Sequence, residues 1–387
     1  MSSTPPPATL ALPVTDDALA ARLRARMETV EKLLDGHVEG RTAYVTEAAR
    51  HLLAAGGKRF RPLLVLLASE TGEHPDSDDV LTAACVVEIT HLGSLYHDDV
   101  MDEADLRRGA DSANARWDNL VAILTGDFLF ARSSELTSRL GADAVRIQAE
   151  TFTRLVEGQI METVPPGEGE DPLEHYLEVV AGKTGSLIAT SARYGARFGG
   201  ASREVEEALA AYGEIVGSAF QLSDDILDIA SETDESGKTP GTDLREGVPT
   251  LPTLMAQAAC RGSSDPADVR LLELLSGPIT DDAEVEEALA LLRAHPAMQE
   301  ARAYVVARAA EAKALLEILP RTPVRTALES FLFSLFSPNS SKTAPPIVST
   351  GEYERTTARS RNILQTRASN CICTIVVSPE TTDFPPK

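Results

Sequence analysis

Apolar residues recur three and four positions apart through residues 17–35, 41–71, 78–103, 114–140, 143–162, 173–198, 203–230 and 250–260. That spacing lines one face of an α-helix; a half-buried strand would alternate every second residue, and no stretch here does so convincingly. Ala and Leu abound while aromatic and β-branched residues are sparse, which again favours helix. The expected fold class is therefore all-α. Turn signals fall at Gly72-Glu73-His74-Pro75, Pro165-Pro166-Gly167, Gly199-Gly200 and Ser236-Gly237. A length of 387 residues permits two domains as a prior, but no Pro/Ser-rich linker divides residues 15–335. One large helical domain over 15–336 is the expectation, after a disordered N-terminal segment, 1–14.

Two of these helical runs carry the same acidic pattern. Asp98-Asp99-Val100-Met101-Asp102 ends ITHLGSLYHDDVMD, and Asp224-Asp225-Ile226-Leu227-Asp228 lies within GSAFQLSDDILDIA. Residues four apart share a helix face, so Asp98 stacks on Asp102 and Asp224 on Asp228. Like charges at that spacing destabilise a helix. In a chain with 59 Asp and Glu, one such pattern is readily a solvated face. Two copies, each followed by a basic segment containing glycine, point to bound cations. A carboxylate-only ligand set suits hard ions, Mg2+ above all, and Mg2+ is usually shared between one or two carboxylates and substrate phosphates.

The basic segments supply the opposite charge. Arg107-Arg108-Gly109 follows the first triplet; Gly237-Lys238 through Gly241, Arg245 and Gly247 follows the second; Gly56-Gly57-Lys58-Arg59-Phe60-Arg61-Pro62 precedes both. Arg forks grip phosphate oxygens in pairs, and Lys adds a compact point charge. Gly109, Gly237, Gly241 and Gly247 mark turns, and Pro62 suits the first turn of a helix. In a chain of net charge −23, such clusters beside acidic motifs read as a site for a polyanion and metal.

The blocks GGKRFRP, EITHLGSLYHDDVMDEADLRRG, GDFLFARS, EGQIMET, KTGSLI, AFQLSDDILDI and GKTPGTDLREGVPTLP occur in that order. With them the chain resembles the trans-isoprenyl diphosphate synthases, also called polyprenyl synthetases, over about residues 20–335. The resemblance implies antiparallel helices around a deep central cavity, with the two Asp motifs facing one another near its mouth, and a homodimer. It implies condensation of isopentenyl diphosphate with an allylic diphosphate bridged to both motifs by several Mg2+ ions. The allylic C–O bond ionises, the isopentenyl double bond attacks, and a proton is lost, with the departing pyrophosphate as base. A dry cavity keeps water from quenching the cation.

Residue by residue, the resemblance assigns Asp98, Asp99 and Asp102 to the stronger metal motif and Asp224, Asp225 and Asp228 to the second. Arg107 matches a group on the allylic diphosphate. Arg108 matches one on isopentenyl diphosphate, a pocket that Lys58, Arg61 and His91 complete. Lys183 and Thr184 of KTGSLI, Gln221 and Lys238 match groups near the allylic diphosphate and its cation. Gln159 matches a cavity-facing Gln, while His97 reads as structural. The expected catalytic set is Asp98, Asp99, Asp102, Arg107, Lys183, Gln221, Asp224 and Lys238. One departure is Val248, where many members carry a Lys that contacts the allylic diphosphate. Product length depends on side chains one and more turns before Asp98. Gly93 and Ser94 are small, and Ile89 and Thr90 are weak plugs, so a product of geranylgeranyl length or longer is expected.

Three other readings are weaker. A terpene cyclase of the ionising type shares one DDxxD but usually replaces the second with an Asn/Ser/Glu pattern. A metal phosphohydrolase suggested by His91 and His97-Asp98 needs neither the second triplet nor KTGSLI. A regulatory subunit of a heteromeric synthase normally shows eroded motifs, and these are complete. The acidity excludes a nucleic-acid partner, which would need a basic surface. No run of eighteen apolar residues is present to span a bilayer. MSSTPPPATLALPV lacks a basic region and a long apolar core, so it does not read as a signal peptide. Cys85, Cys260, Cys371 and Cys373 show no metal spacing, and a reducing cytoplasm is the default. Residues 337–387 turn Ser-, Thr- and Pro-rich and slightly basic; they read as an atypical, disordered tail, with CICTIVV at 371–377 an aggregation hazard if exposed.

Overall fold

A computed structural model of the chain describes residues 14–231 and 240–334, the last three by backbone alone. The N-terminal segment before Val14, the tail 337–387, and the turn at Ser236-Gly237 with Lys238 lie outside the described residues. The regular structure is almost wholly helical, as the apolar spacing predicts. The helices are α1 (Asp17–His37), α2 (Ala43–Ala54), α3 (Phe60–Ser69), α4 (Asp78–Met101), α5 (Ala113–Arg116), α6 (Asn119–Arg139), α7 (Ala142–Glu162), α8 (Pro172–Val180), α9 (Ser186–Phe198) and α10 (Arg203–Ala230). After them come α11 (Thr242–Glu246), α12 (Leu251–Cys260), α13 (Pro266–Leu274), α14 (Asp282–Ala294), α15 (Ala297–Leu315) and α16 (Pro323–Ser334).

Local chemistry sets many of these boundaries. Asp16, Thr42 and Asp118 cap α1, α2 and α6 by accepting the amide N–H three residues on. Thr250 and Thr253 form a reciprocal capping box at α12. The run 41–71 is two helices rather than one: the chain takes positive φ at Gly56, Gly57 and Arg59, which ends the α-helical ladder. The run 173–198 is interrupted by a π turn at Ala181–Gly185. Four helices beyond Cys260, α13 to α16, add to those that the apolar spacing marks.

By their contacts the residues fall into two compact units. The first comprises residues up to 165 with 178–218 and 311–331, and the second 166–177 with 219–310 and the residues after 331. The core of the first is α4, which is apolar on nearly every side and packs against α3, α6 and α9. Val80, Val87, Ile89 and Leu92 of α4 and Leu63, Leu64, Leu66 and Leu67 of α3 are fully or almost fully buried, each contributing about 2 kcal/mol. The Tyr96 hydroxyl, 2.5 Å from the Ala48 carbonyl and 3.2 Å from the Leu52 amide, pins α2 to α4. In the second unit, α12, α13 and α14 pack on one another. Among the described residues no helix is long and apolar enough to cross a membrane.

Candidate active site

The first Asp triplet occupies the last turn and cap of α4, the carbonyl end of the helix, where its dipole disfavours negative charge. The three carboxylates are not equivalent. Asp99 has no exposed surface and accepts a hydrogen bond from Arg107 Nε at 2.5 Å. The Asp102 side chain is 58% exposed, with Arg107 Nη2 at 3.8 Å. Asp98 is half-buried, and its carboxyl is pushed up to about 6. Burial is the main cause; Asp102 and Glu162 push in the same direction, against Lys183 and Arg107. A partly desolvated carboxylate one turn from another is short of positive charge, which a divalent cation would supply.

Arg107 reaches Asp99 because of a hairpin that the helical periodicity did not announce. Leu106–Arg107 pairs antiparallel with Ala110–Asp111 across Arg108 and Gly109, both with positive φ (56° and 77°). Two central residues of that hand make the tight turn that suits a two-residue hairpin. Arg107 lies on the strand and binds the triplet, while Arg108 in the turn donates to the Leu52 carbonyl at 3.1 Å and to that of Gly56. Adjacent arginines thus take different partners, Arg107 a carboxylate and Arg108 the backbone.

Lys183 sits in the π turn, a local irregularity that often marks function. Its backbone packs against α7 closely enough that a Cβ on Gly158 would lie 2.6 Å from the Lys183 nitrogen. Lys183 Nζ donates to Glu162 Oε2 at 2.6 Å, and Gln159 Nε2 to the same oxygen at 3.0 Å. Gln159 therefore belongs with Lys183 through Glu162, which sequence reasoning did not single out. Thr184 is half-buried beside it.

The second triplet lies in the last two turns of α10, and again the middle carboxylate is the buried one. Asp225 is 4% exposed, accepts from Gln221 Nε2 at 3.2 Å and accepts the hydroxyl of Tyr176 on α8. Its carboxyl is raised to about 6 by burial, against the hydrogen bonds from Tyr176, Gln221 and the Leu251 backbone. Asp224 and Asp228 are half-buried; the Asp228 carboxylate accepts the amide N–H groups of Thr242 and Asp243 at 3.3 Å, at the start of α11. Gly241 and Gly247 flank that short helix with φ of 77° and 71°, matching the turns expected there. Tyr176 lies 49 residues from Asp225 in sequence, and no motif marks it. Tyr176→Phe is expected to cost about 1 kcal/mol of stability and to lower kcat/KM roughly tenfold. Denaturant melts and steady-state kinetics read the two effects, and a kcat/KM within twofold of wild type would count against a bracing role.

The remaining candidates group around the start of α3. Lys58 is exposed, with Nζ 5.5 Å from the centre of the Phe60 ring. Arg61, pulled down to about 10 chiefly by burial, and His91 lie near one another and near Arg108. His91 is held well below its usual pKa by burial and by the positive charge of Arg61, Arg108, Arg59 and Arg107, so it is neutral near pH 7. His97 is occupied structurally, with Nε2 3.1 Å from the Ile123 carbonyl and the ring edge-on to Phe130.

The expected chain-length residues are more enclosed than their size suggests. Gly93 is buried, and a Cβ there would meet the Phe130 ring at 3.1 Å, so Phe130 fills the space that glycine leaves. Ile89 is fully buried, and Thr90 is tied to Ser133 at 2.7 Å and Gln148 at 2.8 Å. Ser94 is half-buried and donates to the His91 carbonyl. Val248, 38% exposed, offers no charge in place of the Lys common at its position.

Among the described residues one Cys/His/Asp group converges, Cys260, Asp268 and His295. Here His295 Nδ1 accepts the Ala297 amide N–H at 3.1 Å, so the neutral ring carries its proton on Nε2, 3.5 Å from the Cys260 sulfur. The same Nε2 lies 3.8 Å from Asp268 Oδ1, so the three side chains tie together the segments that carry them.

With this geometry in view, the relatives are informative. Residues 42–292 match the family model described as polyprenyl synthetase. Over 317 residues the chain is 51% identical to the nonaprenyl diphosphate synthase of Mycobacterium tuberculosis, covering 82% of this chain and 93% of that protein. It is 40% identical to the dimethylallyltranstransferase of the same organism, covering 83% and 97%. A crystal structure of geranylgeranyl pyrophosphate synthase from Corynebacterium glutamicum, complexed with calcium and isoprenyl diphosphate, superposes with a TM-score of 0.75 at 47% identity, covering 83% and 97%. The fold, the ordered motifs and these likenesses agree: the chain belongs to the polyprenyl synthetase family and is a trans-isoprenyl diphosphate synthase, a prenyltransferase.

Proposed function

We propose that the chain condenses isopentenyl diphosphate with an allylic diphosphate to make an all-trans polyprenyl diphosphate of geranylgeranyl length or longer, using Mg2+ at its Asp triplets. The observation that carries this reading is the shared construction of the triplets. Each lies in the closing turns of a helix with its middle carboxylate buried and tied, Asp99 to Arg107 and Asp225 to Tyr176 and Gln221. Asp98 and Asp102, and Asp224 and Asp228, are then the metal ligands, with Asp99 and Asp225 as braces. An all-oxygen donor set of this kind fits a small hard cation, and the calcium and isoprenyl diphosphate named for the C. glutamicum structure support it. When bound, the cation supplies the positive charge that lets carboxylates and a diphosphate occupy one place.

The chain's own groups do the rest. Arg107 and Lys183, both near enough to Asp98 to favour its ionised form, stabilise the charge that gathers on pyrophosphate as the allylic C–O bond breaks. Lys58, Arg61, Arg108 and the neutral His91 hold isopentenyl diphosphate while its double bond attacks the cation. The departing pyrophosphate takes the proton. The resemblance alone assigns Thr184, Gln221 and Lys238 to the allylic substrate. Phe130, packed over Gly93 and against Phe152 at 4.6 Å between ring centres, is assigned to the wall along which the chain grows. Phe130→Ala is expected to move the product distribution to longer chains; an unchanged distribution would place the floor elsewhere.

Leu120, Ile123 and Leu124 are exposed on one side of α6, and we assign that surface to a homodimer contact. The free thiols Cys85 and Cys260 suit a reducing cytoplasm, where we place the reaction. The deciding experiment is mass spectrometry of products formed from isopentenyl diphosphate with dimethylallyl, geranyl, farnesyl and geranylgeranyl primers, with and without Mg2+. Mg2+-dependent elongation is the expected result. Pyrophosphate or a hydrocarbon released from a primer alone, without elongation, would overturn the condensation reading in favour of a cyclase.

A further inference from the structure

Glu88 lies on α4 one turn before His91, and only 2% of its surface is exposed. Its partner is Arg59, 7% exposed, whose Nη1 donates to Glu88 Oε1 at 3.0 Å. The rest of that guanidinium is occupied too: Nε donates to Glu31 Oε1 at 2.7 Å, and Nη2 to the Leu53 carbonyl at 3.0 Å. Arg59 therefore stands between Lys58 and Arg61 in sequence yet spends its hydrogen-bonding arms inside the protein.

Its backbone is unusual for a long side chain. At φ 49° and ψ 36°, Arg59 is left-handed at the N-cap of α3, with no side-chain capping bond to reward it. A non-glycine residue keeps that conformation only where its surroundings hold it. The surroundings here are the two carboxylates, one buried and one half-exposed, that grip the guanidinium. The same conformation fixes how the chain enters α3 and so where its neighbours lie. Lys58 comes out exposed above the Phe60 ring, and Arg61 is enclosed, its Nε buried without a hydrogen-bond partner among the described residues. Glu88 has a second effect, since its charge favours the cationic form of Arg61 against burial and Arg108.

We propose that Glu88 and Arg59 are positioning residues for isopentenyl diphosphate. The Glu31–Arg59–Glu88 clamp holds Arg59 left-handed and thereby sets Lys58 and Arg61 at the geometry the diphosphate requires. The inference rests on the assignment of Lys58 and Arg61 to isopentenyl diphosphate.

The test uses the full chain and steady-state kinetics with each substrate varied in turn. The variants are Glu88→Gln, the milder Glu31→Gln, and Lys58→Ala as a probe of the pocket. Glu88→Gln is expected to raise KM for isopentenyl diphosphate about tenfold or more, and Glu31→Gln about threefold, with kcat and the allylic KM within about twofold. A general loss of structure would move both KM values and kcat together, so equal movement overturns the inference. If Glu88→Gln does not fold, Glu31→Gln decides alone, and an unchanged isopentenyl KM there overturns it. Lys58→Ala separates the two levels. A raised isopentenyl KM in that variant with none in the clamp variants refutes only the clamp; no rise in Lys58→Ala refutes the pocket assignment and the clamp with it.

Discussion

Asp98→Asn and Asp102→Asn are each expected to lower turnover about 1000-fold at saturating substrates, the scale seen when a preorganised electrostatic contact to developing charge is lost. Their stability is expected to move the other way. Either change removes a like-charge neighbour at the carbonyl end of α4, so the metal-free variants should melt at or slightly above the wild type. Asp99→Asn makes the contrast. Asp99 has no exposed surface and is paired to Arg107, so replacing it removes the nearer of that guanidinium's two carboxylates and its buried hydrogen bond, at a cost of about 1–3 kcal/mol. Three acidic residues of one motif would then give two opposite signatures, readable from thermal melts and steady-state assays on the same preparations. An Asp98→Asn enzyme within tenfold of wild-type turnover would remove Asp98 from the metal site.

Divalent cations are expected to raise the melting temperature far more at pH 7.5 than at pH 5. Asp98 and Asp225 have carboxyl groups raised to about 6, against an ordinary value of 3.8, with burial the largest cause in both. Between those values the folded protein holds protons that the unfolded chain has released. Stability from these groups is thus fully present below about pH 4 and is lost as pH rises through about 6. Each shift corresponds to roughly 2–3 kcal/mol in the metal-free protein at pH 7. A cation binds the ionised carboxylate, so it must displace protons at pH 5 but finds Asp98 already charged at pH 7.5. At a hundred times its dissociation constant it adds about 2.7 kcal/mol. Calorimetric melts with and without Mg2+ at both pH values measure the difference, and Asp98→Asn should flatten it. Equal Mg2+ effects at the two pH values would mean that Asp98 does not control metal binding.

The triplets were legible in the sequence because their geometry is local: helical spacing alone places Asp98 over Asp102 and Asp224 over Asp228. The helices of the first 230 residues were legible for the same reason. What pairs across sequence was not. Tyr176 meets Asp225 over 49 residues, Glu88 meets Arg59 over 29, and Phe130 stands over Gly93; in each case nothing in the neighbouring sequence marks the residue until the partner is known. The break of 41–71 could have been read from Gly56-Gly57, yet Arg59 carries a left-handed backbone without any compositional sign. The π turn at Lys183 is equally silent, since its flanks keep helical apolar spacing. Helices α13 and α14 did leave a signal in Asp265-Pro266 and Asp281, both caps of a recognisable kind, but their largely solvated surfaces weaken the apolar spacing.

The Arg108 guanidinium is aimed by backbone alone. Its Nη1 is engaged by the carbonyls of Leu52 and Gly56 at the end of α2. Those carbonyls take hydrogen bonds but bring no negative charge, and a guanidinium carries further N–H groups on Nε and Nη2. The end of α2 thus works as a bracket, fixing the direction of a positive charge that it does not consume.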